Sequence, residues 1–270
     1  MMLIFFFMVM IPSQKCPKLD RSYSIEYEIY STKTWPLHGV LRKTMRTHTL
    51  KADQTLAVVN SLLDQGIQKI GLIIRHSERL FSTQVRMEPF MELTEAGKTY
   101  AHDFGQSLRP DPLPKLYSSF MGRCIETAYL IDKGFSTRYK KILSHNTVDN
   151  RLAPFYIKDI DKAVERILAQ GNEVFIRNWF DGKTDENIME NPKRTADQIC
   201  DLMIEQIKNL PRDQMAVSIT HDWNIYPLKE FKLGLRHEEF GDVGYLEGVV
   251  FFEKNDCFYM ANHQVKPVQL

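Results

Sequence analysis

The segment that most constrains this chain is the apolar run Ile70-Gly71-Leu72-Ile73-Ile74, which stops abruptly at Arg75-His76-Ser77-Glu78-Arg79. A short run of Ile and Leu with β-branched character predicts a buried strand. The polar residues follow at its carboxyl end, the edge at which open α/β sheets bind ligands. Two guanidinium groups beside an imidazole suit an oxyanion, with a nucleophile or base among them.

Two further strand ends carry chemistry of the same kind. Ala216-Val217-Ser218-Ile219-Thr220 is a β-branched run that ends in His221-Asp222-Trp223-Asn224. A weaker strand, Lys115-Leu116-Tyr117, leads into Ser118-Ser119 and then Arg123. Met121 to Ile131 has helical character, with Ser118 or Ser119 as the expected cap and Arg123 in or near the first turn. A helix N-terminus favours anions through its free N–H groups and its dipole. If the three strands are parallel neighbours, Arg75, His76, Arg79, Arg123, His221 and Asp222 converge on one pocket.

The rest of the chain from about residue 50 has matching punctuation. Leu56, Val59, Leu62 and Leu63 predict a helix over 52–65 that stops at Gly66. A second helix is expected over 94–108, before the Pro-rich break 109–114. Thr195-x-x-Gln198 reads as a capping box that opens a helix with Ile199, Leu202, Met203, Ile207 and Leu210 on one side. Residues 248–253 and 257–261 flank Lys254-Asn255-Asp256 and predict a hairpin on the sheet edge. Phe135 to Arg194 reads as a long irregular insert with one helix, a cap over the site. Within it Arg151, Arg177 and Trp179 are the candidates for contacting a leaving group, against the plainer role of packing or solvated charge.

The motifs, taken in order, resemble those of the histidine phosphatase superfamily, the group with phosphoglycerate mutases and histidine acid phosphatases. Arg75-His76-Ser77 is similar to its Arg-His-Gly signature, with Ser77 in place of Gly. The spacing to Arg79 and the pair His221-Asp222 are similar to the acid-phosphatase branch. Ser118-Ser119-x-x-x-Arg123-x-x-x-Thr127-Ala128 resembles the second-arginine segment, and Leu93-Thr94-x-x-Gly97 the helix start after the first strand. The likeness runs from about Ile70 to the C-terminus. It implies an α/β fold, a three-layer α/β/α sandwich with a mostly parallel sheet of phosphoglycerate mutase-like type and a small cap insertion. Residues 51–270 are then one domain, the cap lies at about 135–194, and residues 1–50 are an N-terminal extension.

The same resemblance implies a phosphatase that hydrolyses a phosphomonoester through a phosphohistidine on His76. Arg75, Arg79 and Arg123 bind the phosphate, and His221, when protonated, adds a donor. Asp222 supplies the proton to the leaving oxygen and later activates water. Positive charge from arginine takes the place of a metal, so neither metal nor cofactor is expected. The mutase-like branch draws its acid from a glutamate after the second-arginine helix. The comparable stretch here, Asn150 to Phe155, offers none, which favours Asp222 and hydrolysis over mutase chemistry. A Cβ at Ser77 is expected to restrict the backbone and crowd the phosphate. The alternatives to a phosphatase are therefore a non-catalytic phospholigand-binding or regulatory module and, less favoured, a phosphomutase. Glu78, set among cations, is expected to be a charge partner for an arginine, and Trp223 a wall or core residue.

Other chemistries lack their residues. The position six after each of Cys16, Cys124, Cys200 and Cys257 holds Ser22, Leu130, Gln206 and His263, so the cysteine-phosphatase spacing to Arg is missing. Asp159-Ile160-Asp161 reads as the acidic first turn of a helix over 159–169. There is no P-loop, dinucleotide fingerprint or Gly-x-Ser-x-Gly elbow, and the remaining histidines lack metal-ligand spacing. The 270 residues are 43% hydrophobic, enough to bury a full core, and the net charge of +1 implies no bulk attraction to nucleic acid or membrane. Expected partners are a small-molecule or phosphoprotein phosphomonoester and no nucleic acid. Leu3 to Ile11 is apolar but too short to span a bilayer unaided. It is a signal h-region or anchor, a buried strand, or part of an extension upstream of a start at Met45. A cytoplasmic location is slightly favoured over export, and a membrane role is confined to this segment.

Overall fold

The structure, a computed structural model, describes residues 49–82 and 85–270. The expectations for residues 3–11 and for the extension lie outside the described residues. Among them, no helix is long and apolar enough to cross a membrane.

The first helix, α1 (Ala52–Asp64), buries Ala52, Leu56, Val59 and Leu62 along one stripe. It ends before Gly66, whose φ of +78° takes the chain out of the helix. The predicted strand follows as β1 (Ile70–Arg75), buried at every position. Helix α2 (Glu95–Ser107) is capped by the Thr94 hydroxyl, which accepts from the Gly97 N–H at 2.9 Å. Then come β2 (Leu113–Ser118), α3 (Gly122–Tyr139) and β3 (Thr147–Val148). Helices α4 (Ile160–Gln170) and α5 (Asn172–Phe180) precede α6 (Pro192–Asn209). The chain continues through β4 (Gln214–Thr220), α7 (Asp222–Phe231) and α8 (His237–Phe240). It finishes with β5 (Gly248–Lys254), β6 (Cys257–Asn262) and β7 (Val265–Gln269).

The strands form one sheet in the order β3-β2-β4-β1-β5-β6-β7. The first four are mutually parallel, and β5 to β7 add antiparallel strands on the far side. Alternation along β1 sends Ile70, Leu72 and Ile74 into the core under α1, α2 and α3, and Ile73 into the core under α5, α6 and α7. The fold is thus the three-layer α/β/α arrangement of phosphoglycerate mutase-like type, and β2, β4 and β1 are adjacent and parallel as the pocket requires.

Four local expectations are corrected. Neither Ser118 nor Ser119 caps α3; Met121 is the N-cap, and its side chain makes no capping bond to the helix backbone. Thr195 lies inside α6, because Asn191 caps the helix ahead of Pro192 at the first position, and the Thr195 hydroxyl donates back to the Asn191 carbonyl. The 248–261 hairpin turns at Asn255 and Asp256, both at positive φ as a two-residue type I′ loop demands. It is interior to the sheet, since β5 pairs with β1 and the unpredicted β7 is the edge. The insert over 135–194 is more ordered than expected. It contains the end of α3, the strand β3, a 3-10 turn at Asn150–Leu152, the helices α4 and α5 separated at Gly171 with φ +86°, and the start of α6. The cap helix expected over 159–169 is α4, with the Asp159 carboxylate accepting from the Lys162 N–H.

Candidate active site

Register brings three strand ends level. Arg75 pairs with Thr220 across β1 and β4, and Ser118 with Ile219 across β2 and β4. The residues that follow, His76, His221 and Ser119, therefore leave the sheet side by side. The His76 N–H continues the ladder to the Thr220 carbonyl at 2.9 Å, and the Ser119 N–H donates to Ile219 at 3.0 Å. The rings of His76 and His221 meet edge-on with centroids 5.5 Å apart.

His76 is 2% exposed, and its Nδ1 lies 2.7 Å from the Ser77 carbonyl. A carbonyl can only accept, so Nδ1 carries the proton and Nε2 the lone pair. Burial, followed by the charges of Arg123 and Arg75 and by His221, holds His76 well below the usual imidazole range. The ring is neutral, with a nucleophilic nitrogen.

His221 is set the other way. The Arg123 guanidinium donates to its Nδ1 at 3.2 Å, which puts the proton on Nε2, 3.1 Å from the Ser119 hydroxyl. Burial first, and then Arg123, hold it well below the usual range, against the opposing charge of Asp222. In this arrangement His221 is a neutral support for Arg123, which differs from its expected role as a protonated donor. Cys124 lies against the same ring at 3.6 Å, and burial pushes its thiol up to about 12, so it is no nucleophile.

The charges of Arg123 and Arg75 act on His76, and Arg79 lies near Arg123 and His221. Arg75 is 2% exposed; it donates to the Val243 carbonyl at 2.7 Å, pairs with Asp222 at 3.1 Å and stacks 4.5 Å from the centroid of Tyr245. Arg123, in the first turn of α3, donates to the Glu88 carbonyl at 2.7 Å. Its own carbonyl accepts from the Thr127 hydroxyl, which accepts in turn from the Ser77 N–H. The Nε–H groups of Arg75 and Arg123 are buried and have no hydrogen-bond partner, an expensive state in a folded interior. Arg79 pairs with the Glu88 carboxylate at 2.5 Å and stacks on Phe81 at 4.0 Å. Asp222 opens α7, and one of its oxygens accepts from the Trp223 N–H at 2.9 Å.

Glu88, within the short 3-10 turn Val85–Phe90, is the site residue that sequence reasoning missed. Its carboxylate engages Arg79 and its carbonyl engages Arg123. No periodicity or motif marked it, because only the path of the chain between β1 and α2 brings it there. It takes the place expected of Glu78, whose carboxylate instead accepts from the Thr94 hydroxyl at 2.7 Å at the start of α2. Ser77 is also placed otherwise than expected. Its hydroxyl turns away from the arginines and donates to the Gly97 carbonyl at 2.7 Å, so it ties β1 to α2 without crowding the pocket. Gly97 makes this approach possible, since a Cβ there would overlap the Glu78 carbonyl.

The cap candidates make their contacts outside the cluster. Arg151 is held by Asp149 and Glu205 at 2.8 Å each. Arg177 is held by Glu230 and Glu238. Trp179 is 1% exposed, stacks on Tyr156 and donates to the Glu190 carbonyl. Two are engaged by carboxylates and one is core packing, and none contacts His76 or the three arginines. Trp223 joins the same aromatic stack, as a wall or core residue should.

Comparison with known proteins fits this arrangement. Residues 72–243, more than half of the chain, match the model of the histidine phosphatase superfamily (branch 1). The matching model is that of branch 1, not of the acid-phosphatase branch expected from the spacing of Arg79 and the His221-Asp222 pair. Similar solved structures include mycobacterial glucosyl-3-phosphoglycerate phosphatase, 18% identical over 74% of this chain and 96% of that one, with a TM-score of 0.48. YhfR of Bacillus stearothermophilus is 18% identical over 72% of this chain and 95% of that one, with a TM-score of 0.47. A phosphoglycerate mutase from Bacillus anthracis is 17% identical over 72% and 91%, with a TM-score of 0.46. Comparison with curated proteins gives no match. With the motifs on adjacent strand ends and the family match spanning them, the chain belongs to the histidine phosphatase superfamily.

Proposed function

We propose that this protein is a metal-independent phosphatase that hydrolyses a phosphomonoester, small-molecule or phosphoprotein, through a phosphohistidine on His76. The observation that carries the proposal is the neutral His76, its Nε2 lone pair free and its Nδ1–H fixed on Ser77, buried beside Arg123 and Arg75 with Arg79 next to Arg123. In the first step Nε2 attacks phosphorus in line, and the bond to the leaving oxygen breaks. Asp222 is paired with Arg75 in the free site; it takes up a proton as the phosphate's negative charge arrives and engages Arg75, and it then gives that proton to the leaving oxygen. In the second step water attacks the phosphohistidine, Asp222 takes its proton, and phosphate leaves. The guanidinium charges stabilise the equatorial oxygens throughout, and the unengaged Nε–H groups of Arg75 and Arg123 are donors to spare for them.

The test is incubation of the purified protein with a generic phosphomonoester, beside His76→Ala and Asp222→Asn. Wild type should release phosphate and His76→Ala none. Asp222→Asn should be slower by about 10²- to 10⁴-fold and accumulate acid-labile phosphohistidine. Phosphate binding without release across acidic and neutral pH would replace the phosphatase with a binding module. Loss of phosphohistidine formation on exhaustive chelation, with Tm and circular dichroism unchanged, would overturn metal independence.

A further inference from the structure

His237, the first residue of α8, has a side chain only 2% exposed, and neither ring nitrogen has a hydrogen-bond partner. A buried imidazole in that state is costly unless something else satisfies it. Two carboxylates from elsewhere in the chain face it. Its Nε2 is 3.2 Å from a Glu173 oxygen, on α5, and 4.0 Å from Asp242 Oδ1, in the loop after α8. The three donor atoms all lie within 4.8 Å of one another. At 3.2 Å the Glu173 oxygen is near enough for a hydrogen bond but lies off the N–H axis. That offset is what two ligands of one ion require. With bonds of about 2.1 Å and near-tetrahedral angles, adjacent ligand atoms stand about 3.4 Å apart, and neither points at the other.

We propose that Glu173, His237 and Asp242 form a site for a divalent transition cation of the zinc class, with solvent completing the coordination. Two carboxylates and an imidazole supply charge and donors suited to such an ion. The surroundings are those of a supported site. The Tyr226 hydroxyl donates to Asp242 Oδ1 at 3.0 Å, and its ring meets the His237 ring edge-on at 4.7 Å. The neighbouring carboxylates Glu230 and Glu238 are already held by Arg177, so they do not compete for the ion. The ion would clip α5, in the insert, to the loop whose Val243 carbonyl accepts from Arg75. Its role is structural, steadying the phosphate-binding arginine from behind, and it takes no part in phosphoryl transfer.

The full chain, stripped by chelator, is titrated with Zn²⁺ by calorimetry and with Co²⁺ by visible absorption. Wild type should bind at this site with cobalt ligand-field bands and an upward shift in Tm. Glu173→Gln and Asp242→Asn should each weaken binding by about a hundredfold or more and lose both the bands and the shift. Glu173 is exposed, so its variant keeps the fold; unchanged circular dichroism of the metal-free variant checks this. Wild-type binding that is absent below millimolar concentration, or that persists undiminished in both variants, would overturn the site.

Discussion

Ser77 stands where the resemblance predicts glycine, and its geometry decides what that substitution costs. Its hydroxyl is bonded to the Gly97 carbonyl and its N–H to Thr127, both away from the arginines. Ser77→Gly should therefore lower stability by about 1 kcal/mol through one lost buried hydrogen bond and added chain entropy, with no gain in turnover; denaturant midpoints and initial rates measure the two effects. Glu88 acts in the opposite sense. Its carboxylate occupies Arg79, so on the proposed mechanism an incoming phosphate must displace it. Glu88→Gln should tighten inhibition by inorganic phosphate about tenfold, the equivalent of about 1.4 kcal/mol. An unchanged inhibition constant would mean that Arg79 does not hold phosphate. Residue identity along β1 announced the arginines and His76, but not the acidic residue that holds Arg79, since Glu88 reaches it through a turn without a repeating pattern.

Among the elements, α2 and α3 show how closely backbone can approach backbone. A Cβ at Gly105 would overlap the Ile131 carbonyl, and one at Gly134 the His102 carbonyl. The two helices thus pack along a reciprocal pair of glycines, and α3 carries Arg123 at its start. Alanine has the better helix propensity by about 1 kcal/mol, but a carbonyl in a packed helix cannot yield as a side-chain tip can. Gly134→Ala should then cost about 1–3 kcal/mol, read as a lower denaturant midpoint at unchanged slope. Both helices were legible in outline, α2 over 94–108 ahead of the Pro-rich break and α3 from about Met121. Their closeness was not, because a glycine inside a helical pattern reads as a weakness until the facing backbone is known. The caps of α3 and α6 were misplaced for a related reason. Several Ser, Thr and Asn residues near each start can all bond the first turn, and the tertiary path chooses among them.

For the molecule as a whole, stability and the pocket share a buried charge cluster. Glu247 is fully buried, 2.9 Å from Lys51 and 3.3 Å from Lys229, and its carbonyl accepts from the Arg75 N–H. Burial works against its charge, yet Lys229, the Gly244 N–H and Lys51 prevail and hold it below the usual glutamate range. A depressed carboxyl stabilises the fold fully above its unfolded value, about 4.3, and loses that contribution as pH falls through its lower folded value. Wild-type Tm should therefore drop on acidification below about pH 4. Glu247→Gln should be destabilised by about 3–5 kcal/mol at neutral pH, because Lys229 is left buried with its charge uncompensated. Its Tm should vary less with pH over the acid range, and an equal acid loss in both proteins would count against this cluster as its source. The sequence by itself determined the alternating α/β order, the buried β1 and β4, and the arginines and histidines that follow β1, β2 and β4, because apolar runs and charge breaks are local properties. Only the tertiary structure decided that Glu88 closes on the arginines, that His221 accepts from Arg123, that the Ser77 hydroxyl bonds Gly97, and that Arg151, Arg177 and Trp179 are engaged by carboxylates and core packing. Each of those depends on which groups distant in the chain are brought within a few ångströms, and both burial and hydrogen-bond direction are set by those neighbours rather than by the residue type.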